Sequence, residues 1–277
     1  MHKNIFICVV LIFLGQISSA TIDAMGAVST ATGGGGRGAV EIVDGLYLNP
    51  AFLRDFQAQN FSYNYAQDTW ALTMTDSGTE AFFPAGIQFI SHKTDTLDTQ
   101  KFGLTLVAPR FGRLALGATT SLVEYSEKSG GVLGDKYRQG VVDLGLTYIV
   151  NDHFTFGFVA NKVGSSEIKL NESLQLQKSL GLGFGYTLDN FARFRVDVES
   201  APENKTDKLI YMAGLENFIN QWVIFRIGFQ NNKVLEKDFV TAGVGFAGPQ
   251  FTLHYAYIAD TSDQANQKHL FDLGIPF

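Results

Sequence analysis

Cysteine is almost absent from this sequence. Cys8 is the only cysteine among 277 residues, and it lies in an apolar run, residues 5–14, that we interpret as part of a signal peptide. Phe6 and Ile7 precede it instead of a small residue, which argues against lipoprotein processing there. The mature chain is therefore expected to have no thiol, which excludes disulfides, thiolate metal sites and cysteine catalysis.

Charge and proline are also scarce. Charged residues make up 17% of the chain, proline occurs 6 times, and the formal net charge is −6. Because there is no basic stripe to neutralise phosphates, nucleic acid is not expected as a partner. Glycine (29) and phenylalanine (24) are abundant by contrast. This composition indicates one large β-rich domain with an apolar exterior and argues against disorder.

Long hydrophobic runs are missing after the N-terminus. Lys3, the apolar run 5–14 and the small residues at 18–20 predict a secretory signal peptide over residues 1–20. The apolar run is shorter than the ~20 residues that a membrane-spanning helix needs. No later run reaches that length, so residence in a membrane would have to use strands.

Motifs of enzyme chemistry are missing as well. The histidines expected in the mature chain have no metal-ligand spacing. They are His92, His153, His254 and His269. The glycine-rich run at 33–38 lacks the Lys-Ser/Thr pair of a phosphate loop, and no Gly-x-Ser-x-Gly elbow occurs. We therefore expect a protein that is not an enzyme and uses no cofactor or metal.

The sequence does have alternation with a period of two. Phe251, Leu253, Tyr255 and Tyr257 would share one face of a strand, with small or polar residues between them. The pattern recurs along the chain, and the second face is largely Gly, Thr and Ala. A transmembrane barrel places apolar side chains toward lipid and small or polar ones toward the lumen. Closure of a barrel also removes unpaired strand edges, which lipid does not tolerate.

These runs predict an all-β fold, a transmembrane antiparallel β-barrel of about 14 strands with 12 as the alternative, because the first hairpin is the weakest. Short turns alternate with longer polar loops, as in outer-membrane barrels. The short turns are near residues 151, 189, 220 and 248, and the longer loops are near 127–139, 163–173, 201–208 and 260–267. The predicted strands are 56–65, 68–75, 80–91, 99–108, 112–126, 138–150, 153–163, 175–188, 191–199, 207–218, 221–230, 238–246, 249–259 and 267–277.

Residues 33–53 do not fit the strand pattern. Four glycines allow positive φ angles or a close approach to other groups. They are Gly33, Gly34, Gly35 and Gly36. Asn49 suits a helix N-cap and Pro50 the first helical position, which predicts a short helical turn over residues 51–53.

We expect this segment to be a plug folded inside the barrel. The chain then divides into a signal peptide (1–20), an N-terminal plug (21–55) and a transmembrane barrel (56–277). The chain ends in Phe277 after alternating apolar positions, which resembles the signal that directs outer-membrane barrels to their insertion machinery.

Charged residues of both signs are predicted to face the lumen. One strand places Arg193, Arg195, Asp197 and Glu199 on a single face, and three residues of other strands are also assigned inward. Those three are Asp143, Arg226 and Asp272. The cluster would either fill the interior by pairing with itself and the plug, or form a polar constriction that selects solutes. We expect Arg37 or Asp44 to anchor the plug to it.

The plug segment resembles the opening of the FadL-type outer-membrane transporter superfamily, which includes long-chain fatty-acid channels, aromatic-hydrocarbon channels and PorV-like barrels. Gly38-Ala39, Asp44 and Asn49-Pro50-Ala51 carry the resemblance. It implies a 14-stranded barrel whose lumen is blocked by the plug. For the transporter branch, it implies movement of hydrophobic molecules that leave sideways through a gap made by a kink in the third strand.

Pro84 and Gly86 lie in the predicted third strand. Proline cannot donate a ladder hydrogen bond and glycine weakens a strand, so the pair could form such a kink. The alternative is that Pro84 merely begins the strand. The chain is much shorter than the fatty-acid transporters, which argues against fatty acids as its cargo.

The sequence therefore predicts a monomeric barrel, exported by the Sec route to the outer membrane of a Gram-negative bacterium and surrounded by its lipid. It would be a passive, porin-like channel for a small hydrophobic ligand. One alternative is a PorV-like barrel without transport activity that serves as a structural, secretion or assembly partner. A soluble secreted β-sandwich is a third possibility.

Overall fold

The computed structural model describes residues 26–56, 58–78, 83–109, 111–129, 132–189, 191–200, 209–263 and 267–277. The predicted signal peptide and the first residues of the predicted plug lie outside these ranges.

Fourteen antiparallel strands in the described residues form one closed barrel, and the first strand pairs with the last. The strands are β1 (Gln59–Ala66), β2 (Thr69–Asp76), β3 (Ala85–Lys93), β4 (Leu97–Val107), β5 (Leu114–Ser129), β6 (Val132–Ile149), β7 (Phe154–Ser165), β8 (Ser179–Leu188), β9 (Ala192–Ser200), β10 (Leu209–Phe218), β11 (Val223–Asn232), β12 (Lys237–Ala247), β13 (Thr252–Asp260) and β14 (Gln267–Pro276). The predicted all-β barrel is confirmed. The 12-strand alternative is wrong, because β1 and β2 are paired from one end to the other.

Closure takes place between β1 and β14. Their pairing runs without a shift from Asn60 and Pro276 to Ala66 and Leu270. Each described strand therefore has hydrogen-bonded neighbours on both sides, and none of them is an edge strand. We call the end where β1 begins and β14 ends the terminal end, and the opposite one the hairpin end.

The large apolar side chains point outward. On β11, Phe225, Ile227 and Phe229 are exposed, whereas Arg226 and Gln230 between and beside them are buried inside the barrel. This is the reverse of a soluble sheet, in which the apolar face is the buried one. The arrangement rules out the β-sandwich alternative.

Aromatic side chains on the outer surface gather near both ends of the barrel. Near the terminal end, the ring centroids of Phe154 and Tyr186 are 4.6 Å apart. Near the hairpin end, those of Trp70 and Phe89 are 5.2 Å apart. Two aromatic girdles around an apolar band are typical of barrels whose outer surface contacts a lipid bilayer.

The short turns predicted near residues 151, 189, 220 and 248 all lie at the terminal end, and the connection 166–178 lies at the hairpin end. The hairpin end also has short connections, such as 67–68 and 94–96. The loop predicted at 201–208 lies outside the described residues, and the one predicted at 127–139 is corrected by the structure.

Residues 127–139 were expected to form a polar loop, but β5 and β6 pair through most of this region. Glu124 on β5 contacts Lys136 and Arg138 on β6 across the outer surface, at 3.0 and 2.9 Å. Opposite charges across neighbouring strands stabilise their pairing. The polar region of β5 and β6 therefore stays paired, and this hairpin extends beyond the neighbouring strands.

The N-terminal segment, residues 26–56, lies inside the barrel as a series of short helices. They are α1 (Ala27–Ala31), α2 (Gly45–Leu48), a 3-10 turn (Pro50–Phe52) and α3 (Leu53–Phe56). Within the described part of the chain, no helix is both long and apolar enough to cross a membrane.

Asn49 has the predicted N-cap role. Its side-chain oxygen accepts a hydrogen bond from the Ala51 nitrogen at 3.1 Å, and Pro50 begins the 3-10 turn. The amide nitrogen of Asn49 donates to the carbonyl oxygens of Arg37 and Leu146, at 3.1 and 3.0 Å. One side chain thus caps a turn, worth about 0.5–2 kcal/mol, and ties the segment to the barrel wall.

The predicted kink in the third strand is not observed. Pro84 precedes β3, which pairs without a break with β2 from Ala85 to His92 and with β4 from Ala85 to Lys93. Because Pro84 lies outside the ladder, its missing N–H costs no strand hydrogen bond. Gly86 has a different role, since a Cβ atom there would lie 2.8 Å from Leu46 of the N-terminal segment.

Candidate functional site

A belt of glycines on the inner surface of the barrel contacts the N-terminal segment. A Cβ atom at Gly183 would lie 2.5 Å from the Gly38 nitrogen, and one at Gly117 would lie 2.7 Å from the Ala51 nitrogen. The two backbones approach this closely only because the side chains are missing. We call the following residues the glycine belt: Gly86, Gly117, Gly145, Gly157, Gly181, Gly183, Gly185, Gly214, Gly228, Gly243 and Gly274.

The four consecutive glycines of the segment pass along this belt. Gly33, Gly34 and Gly36 have φ angles of +74°, +84° and +144°, a region that other residues rarely adopt. Gly35 lies between Thr32 and Asp197. The Gly33 nitrogen donates to the Thr241 hydroxyl at 3.0 Å. The run is therefore a sharp bend against the wall.

Arg37 joins the segment to the charged face of β9. Its backbone nitrogen and its guanidinium donate to Asp197 at 2.8 and 3.3 Å, and the guanidinium also pairs with Glu199. Asp197 accepts a further hydrogen bond from the Gly36 nitrogen at 3.0 Å. These are buried, charge-assisted contacts between the segment and the barrel.

Glu216 on β10 is the centre of the neighbouring network. Its carboxylate is fully buried and contacts Arg195 and Arg226 at 2.9 and 2.8 Å, with Arg193 at 3.4 Å. Arg193 also pairs with Glu41 of the segment. Glu216 and Glu41 are not among the lumen residues predicted from the sequence. The period of two on β10 carried the signal, because Met212, Gly214 and Glu216 alternate with apolar residues.

Asp143 and Asp272, two of the predicted lumen residues, do not join this network. Asp143 on β6 pairs with Lys101 at 3.0 Å and accepts from the Lys162 nitrogen at 2.8 Å, in a separate place where β7 bulges.

Arg37 or Asp44 was expected to anchor the segment to the charged cluster. Arg37 bonds to Asp197 and Glu199, whereas Asp44 accepts a hydrogen bond from the Ser29 nitrogen at 2.7 Å. The fold places it beside α1 instead.

Asp272 on β14 lies on the other side of α1. It accepts a hydrogen bond from the Ala27 nitrogen at 2.5 Å, and both it and Asp44 are buried. Burial raises the pKa of Asp44 to about 6, against the lowering effect of the hydrogen bond from Ser29.

Toward the hairpin end, apolar side chains fill the interior of the barrel. We call this group the mouth cluster: Ala71, Ile90, Leu97, Val123, Tyr125, Val141 and Leu170, with Tyr47, Tyr137, Ile168, Leu174 and Leu176 packed against it. This cluster is not predicted from the sequence. Its members come from five strands, from a loop and from Tyr47 of the N-terminal segment, so no local pattern marks them.

The β7–β8 connection, residues 166–178, folds over the mouth cluster, and we call it the mouth strap. Gln139 holds it by donating to the Ser166 carbonyl and to the Gln175 side chain, both at 3.0 Å. The Tyr125 hydroxyl donates to Gln139 at 3.0 Å and accepts from the Leu176 nitrogen at 3.2 Å. A cavity of about 470 Å³ adjoins the strap at Leu174.

Gln139→Leu is expected to loosen the mouth strap. The substitution removes the acceptor of the buried Tyr125 hydroxyl proton and the donor to the Ser166 carbonyl, and it leaves the Gln175 oxygen only its 3.5 Å contact with Lys162. The loss costs about 1–3 kcal/mol. Hydrogen exchange of the strap amides should accelerate by roughly tenfold or more. The matched control is Gln177→Leu, because Gln177 bonds to carbonyl oxygens on the exposed side of the strap. Equal rates of amide hydrogen exchange in the two variants would show that Gln139 does not hold the mouth strap.

Phe277 is exposed beside β14, and its nitrogen donates to the Gln59 carbonyl at 3.3 Å. Within the described residues, no group of three or more His, Cys, Asp or Glu side chains is arranged to hold a metal ion.

Solved structures of a transporter, a channel and an outer-membrane protein have a similar fold. The toluene transporter TodX of P. putida aligns with a TM-score of 0.70 and 12% identity over 92% of this chain and 99% of its own. The monoaromatic hydrocarbon channel CymD aligns with 0.66 and 14% over 91% and 97%. Omp33, an outer-membrane protein of Acinetobacter baumannii, aligns with 0.50 and 9% over 79% and 96%.

No protein-family model matches the chain, and no curated protein matches its sequence. The likeness is therefore one of fold, and it agrees with the barrel that the FadL-type resemblance implies. The chain shares its closed β-barrel fold with the toluene transporter TodX and the monoaromatic hydrocarbon channel CymD.

Proposed function

We propose that this protein is a monomeric channel in the outer membrane of a Gram-negative bacterium and that it passes small hydrophobic molecules without an energy source. Residues 26–56 act as its plug. Apolar side chains and aromatic girdles on the outer surface support residence in lipid. The signal peptide at residues 1–20 and the insertion signal at Phe277 remain predictions from the sequence.

The mouth cluster carries this proposal. A lumen that conducts ions or sugars is lined by polar groups, whereas this one has a buried apolar group under the mouth strap. An apolar molecule that leaves water for such a site gains about 25 cal/mol for each Å² of buried surface. The mouth cluster is thus suited to concentrate hydrophobic molecules at the entrance.

Tyr47 connects the mouth cluster to the plug. Its ring packs against the cluster, and its hydroxyl donates to Asn64 on β1 at 2.9 Å. A molecule that enters the cluster therefore competes with a residue of the plug for the same space. Binding at the entrance would displace Tyr47 and weaken the contacts that hold the plug.

The neighbouring structures suggest the size of the cargo. TodX is described as a toluene transporter and CymD as a monoaromatic hydrocarbon channel. A single aromatic ring is compatible with a site that is filled by three tyrosines, four leucines and smaller apolar side chains. We therefore propose uncharged monoaromatic molecules as the first candidates.

Leu170→Asn is expected to reduce uptake of radiolabelled toluene by Gram-negative host cells that produce the protein. The substitution removes apolar surface from the mouth cluster, a loss of about 1.5 kcal/mol or roughly tenfold in occupancy. The neighbouring exposed residue supplies the control, Lys169→Asn. Membrane fractionation establishes that both variants are inserted.

Uptake by the unsubstituted protein that does not exceed that of empty-vector cells would refute the channel. A PorV-like role as a structural, secretion or assembly partner would then be favoured, and a protein that co-purifies with the barrel would be its expected sign.

A further inference from the structure

Two aspartates from different parts of the chain meet beside the first turn of α1. Asp44 belongs to the N-terminal segment, and Asp272 belongs to the barrel wall. A Cβ atom on Gly26 would lie 2.7 Å from the Asp44 Cγ and 2.9 Å from the Asp272 Oδ2. The two carboxylates are therefore less than about 6 Å apart, a range in which like charges strongly oppose joint ionisation.

Neither carboxylate is solvated. Asp44 is 0% exposed and Asp272 is 1% exposed. Through Oδ2, Asp44 accepts a hydrogen bond from the Ser29 nitrogen and Asp272 accepts one from the Ala27 nitrogen. The Val28 nitrogen and the Asn64 side chain also interact with Asp272. Each Oδ1 is buried and has no hydrogen-bond partner among the described residues. Two unpaired acceptors on neighbouring buried carboxylates mark a place for a proton.

The charged groups around the pair do not neutralise it. Arg195 and Arg226 act electrostatically on Asp44, but both are bound to Glu216. The other polar side chains that face the pair come from α2, β1 and β13. They are Tyr47, Asn64 and His254.

We propose that Asp44 and Asp272 share one proton when the N-terminal segment is docked, and that loss of this proton releases the segment from the barrel wall. The proton site stands on the geometry of the pair. Its role in opening the lumen rests on the plug function proposed above.

The sign of the pH dependence follows from Asp44. Docking raises its pKa from 3.8 to about 6, so the docked segment binds the proton more tightly than the released segment does. The stabilisation of docking is complete below about pH 4 and is lost as the pH rises through about 6. Acidic conditions therefore keep the segment docked, and mildly alkaline conditions release it.

Maleimide labelling of Ser29→Cys in the full-length protein tests this proposal. Ser29 is buried in the docked segment, and Thr261→Cys provides an exposed reference for the effect of pH on the thiol itself. The labelling rate of Ser29→Cys relative to the reference should rise by about tenfold between pH 5 and pH 8. A pH-independent ratio would overturn the proposal.

Asp44→Asn and Asp272→Asn provide the matched variants in the Ser29→Cys background. Asparagine keeps the shape of the side chain and removes the negative charge, so the segment should stay protected at both pH values. Persistence of the full pH dependence in both variants would overturn the shared proton. Heat-modifiable migration in detergent gels checks that the barrels are folded. If one asparagine variant does not fold, the pH dependence of Ser29→Cys labelling with both aspartates present still tests the proposal.

Toluene uptake measured at the same two pH values separates this inference from the channel function. Toluene uptake that rises with pH together with the labelling ratio supports the shared proton and the channel function. A labelling ratio that changes while uptake stays at the empty-vector level keeps the proton site and refutes the channel.

Discussion

Glu216→Gln is expected to destabilise the barrel by about 3–5 kcal/mol, because it removes the carboxylate that Arg195 and Arg226 share in a buried ion network and leaves Arg195 only its longer contact of 3.8 Å with Glu41. Both guanidiniums are buried, and the hydrogen bonds at 2.9 and 2.8 Å that they donate to Glu216 are charge-assisted. Equilibrium unfolding by urea in lipid vesicles, followed by the fluorescence of Trp70 and Trp222, measures the loss.

Glu124→Gln is the control for this experiment. Glu124 also contacts two cations, Lys136 and Arg138, but their side chains are 57% and 71% exposed. Exposed ion pairs contribute less than about 1 kcal/mol. Both variants replace a glutamate by glutamine, so the difference between their losses of unfolding free energy measures the effect of burying the ion pairs. Similar losses in both would show that the network around Glu216 is not dehydrated.

Gly183→Ala is expected to raise the conductance of the barrel in planar bilayers. The new Cβ atom would lie 2.5 Å from the Gly38 nitrogen and 2.7 Å from the Arg37 Cβ. Overpacking of this kind costs about 1–3 kcal/mol. The cost falls on the docked state only, so the population of released segments should rise by roughly five- to 150-fold.

Gly140→Ala makes the same change outside the glycine belt. The nearest atom to a Cβ there would be the Ser166 hydroxyl at 3.9 Å, an ordinary contact. Its conductance should equal that of the unsubstituted barrel. If Gly183→Ala also stays closed, the segment either adapts to the added methyl group or does not close the lumen, and the plug proposal loses its main support.

The predicted strands agree closely with the barrel because alternation is a local property. In the run from Phe251 to Tyr257, each large side chain is followed by a small or polar one, and a strand turns that order into two faces. The cap at Asn49 was also predictable, since the side chain bonds to a nitrogen only two residues away. Interactions of this kind are contained in a few consecutive residues.

Contacts between distant parts of the chain were harder to foresee. Glu216 is the centre of the charged network because β9, β10 and β11 are neighbours in the barrel. Asp44 lies outside that network because the N-terminal segment places it beside α1, where it bonds to Ser29. The loop expected at 127–139 is a hairpin because cross-strand pairing compensates for its polar composition.

The sequence by itself determined the fold class, the positions of most strands, the outward direction of the apolar side chains and the bend-and-cap structure of the N-terminal segment. All of these follow from residue spacing and backbone preferences within short stretches, whereas pairing of β1 with β2 decided between 12 and 14 strands. The tertiary structure alone decided which glycines receive the segment, where Asp44 meets Asp272 and how five strands and a loop form the mouth cluster. Those features depend on the closure of the barrel, which brings together residues that are up to 245 positions apart.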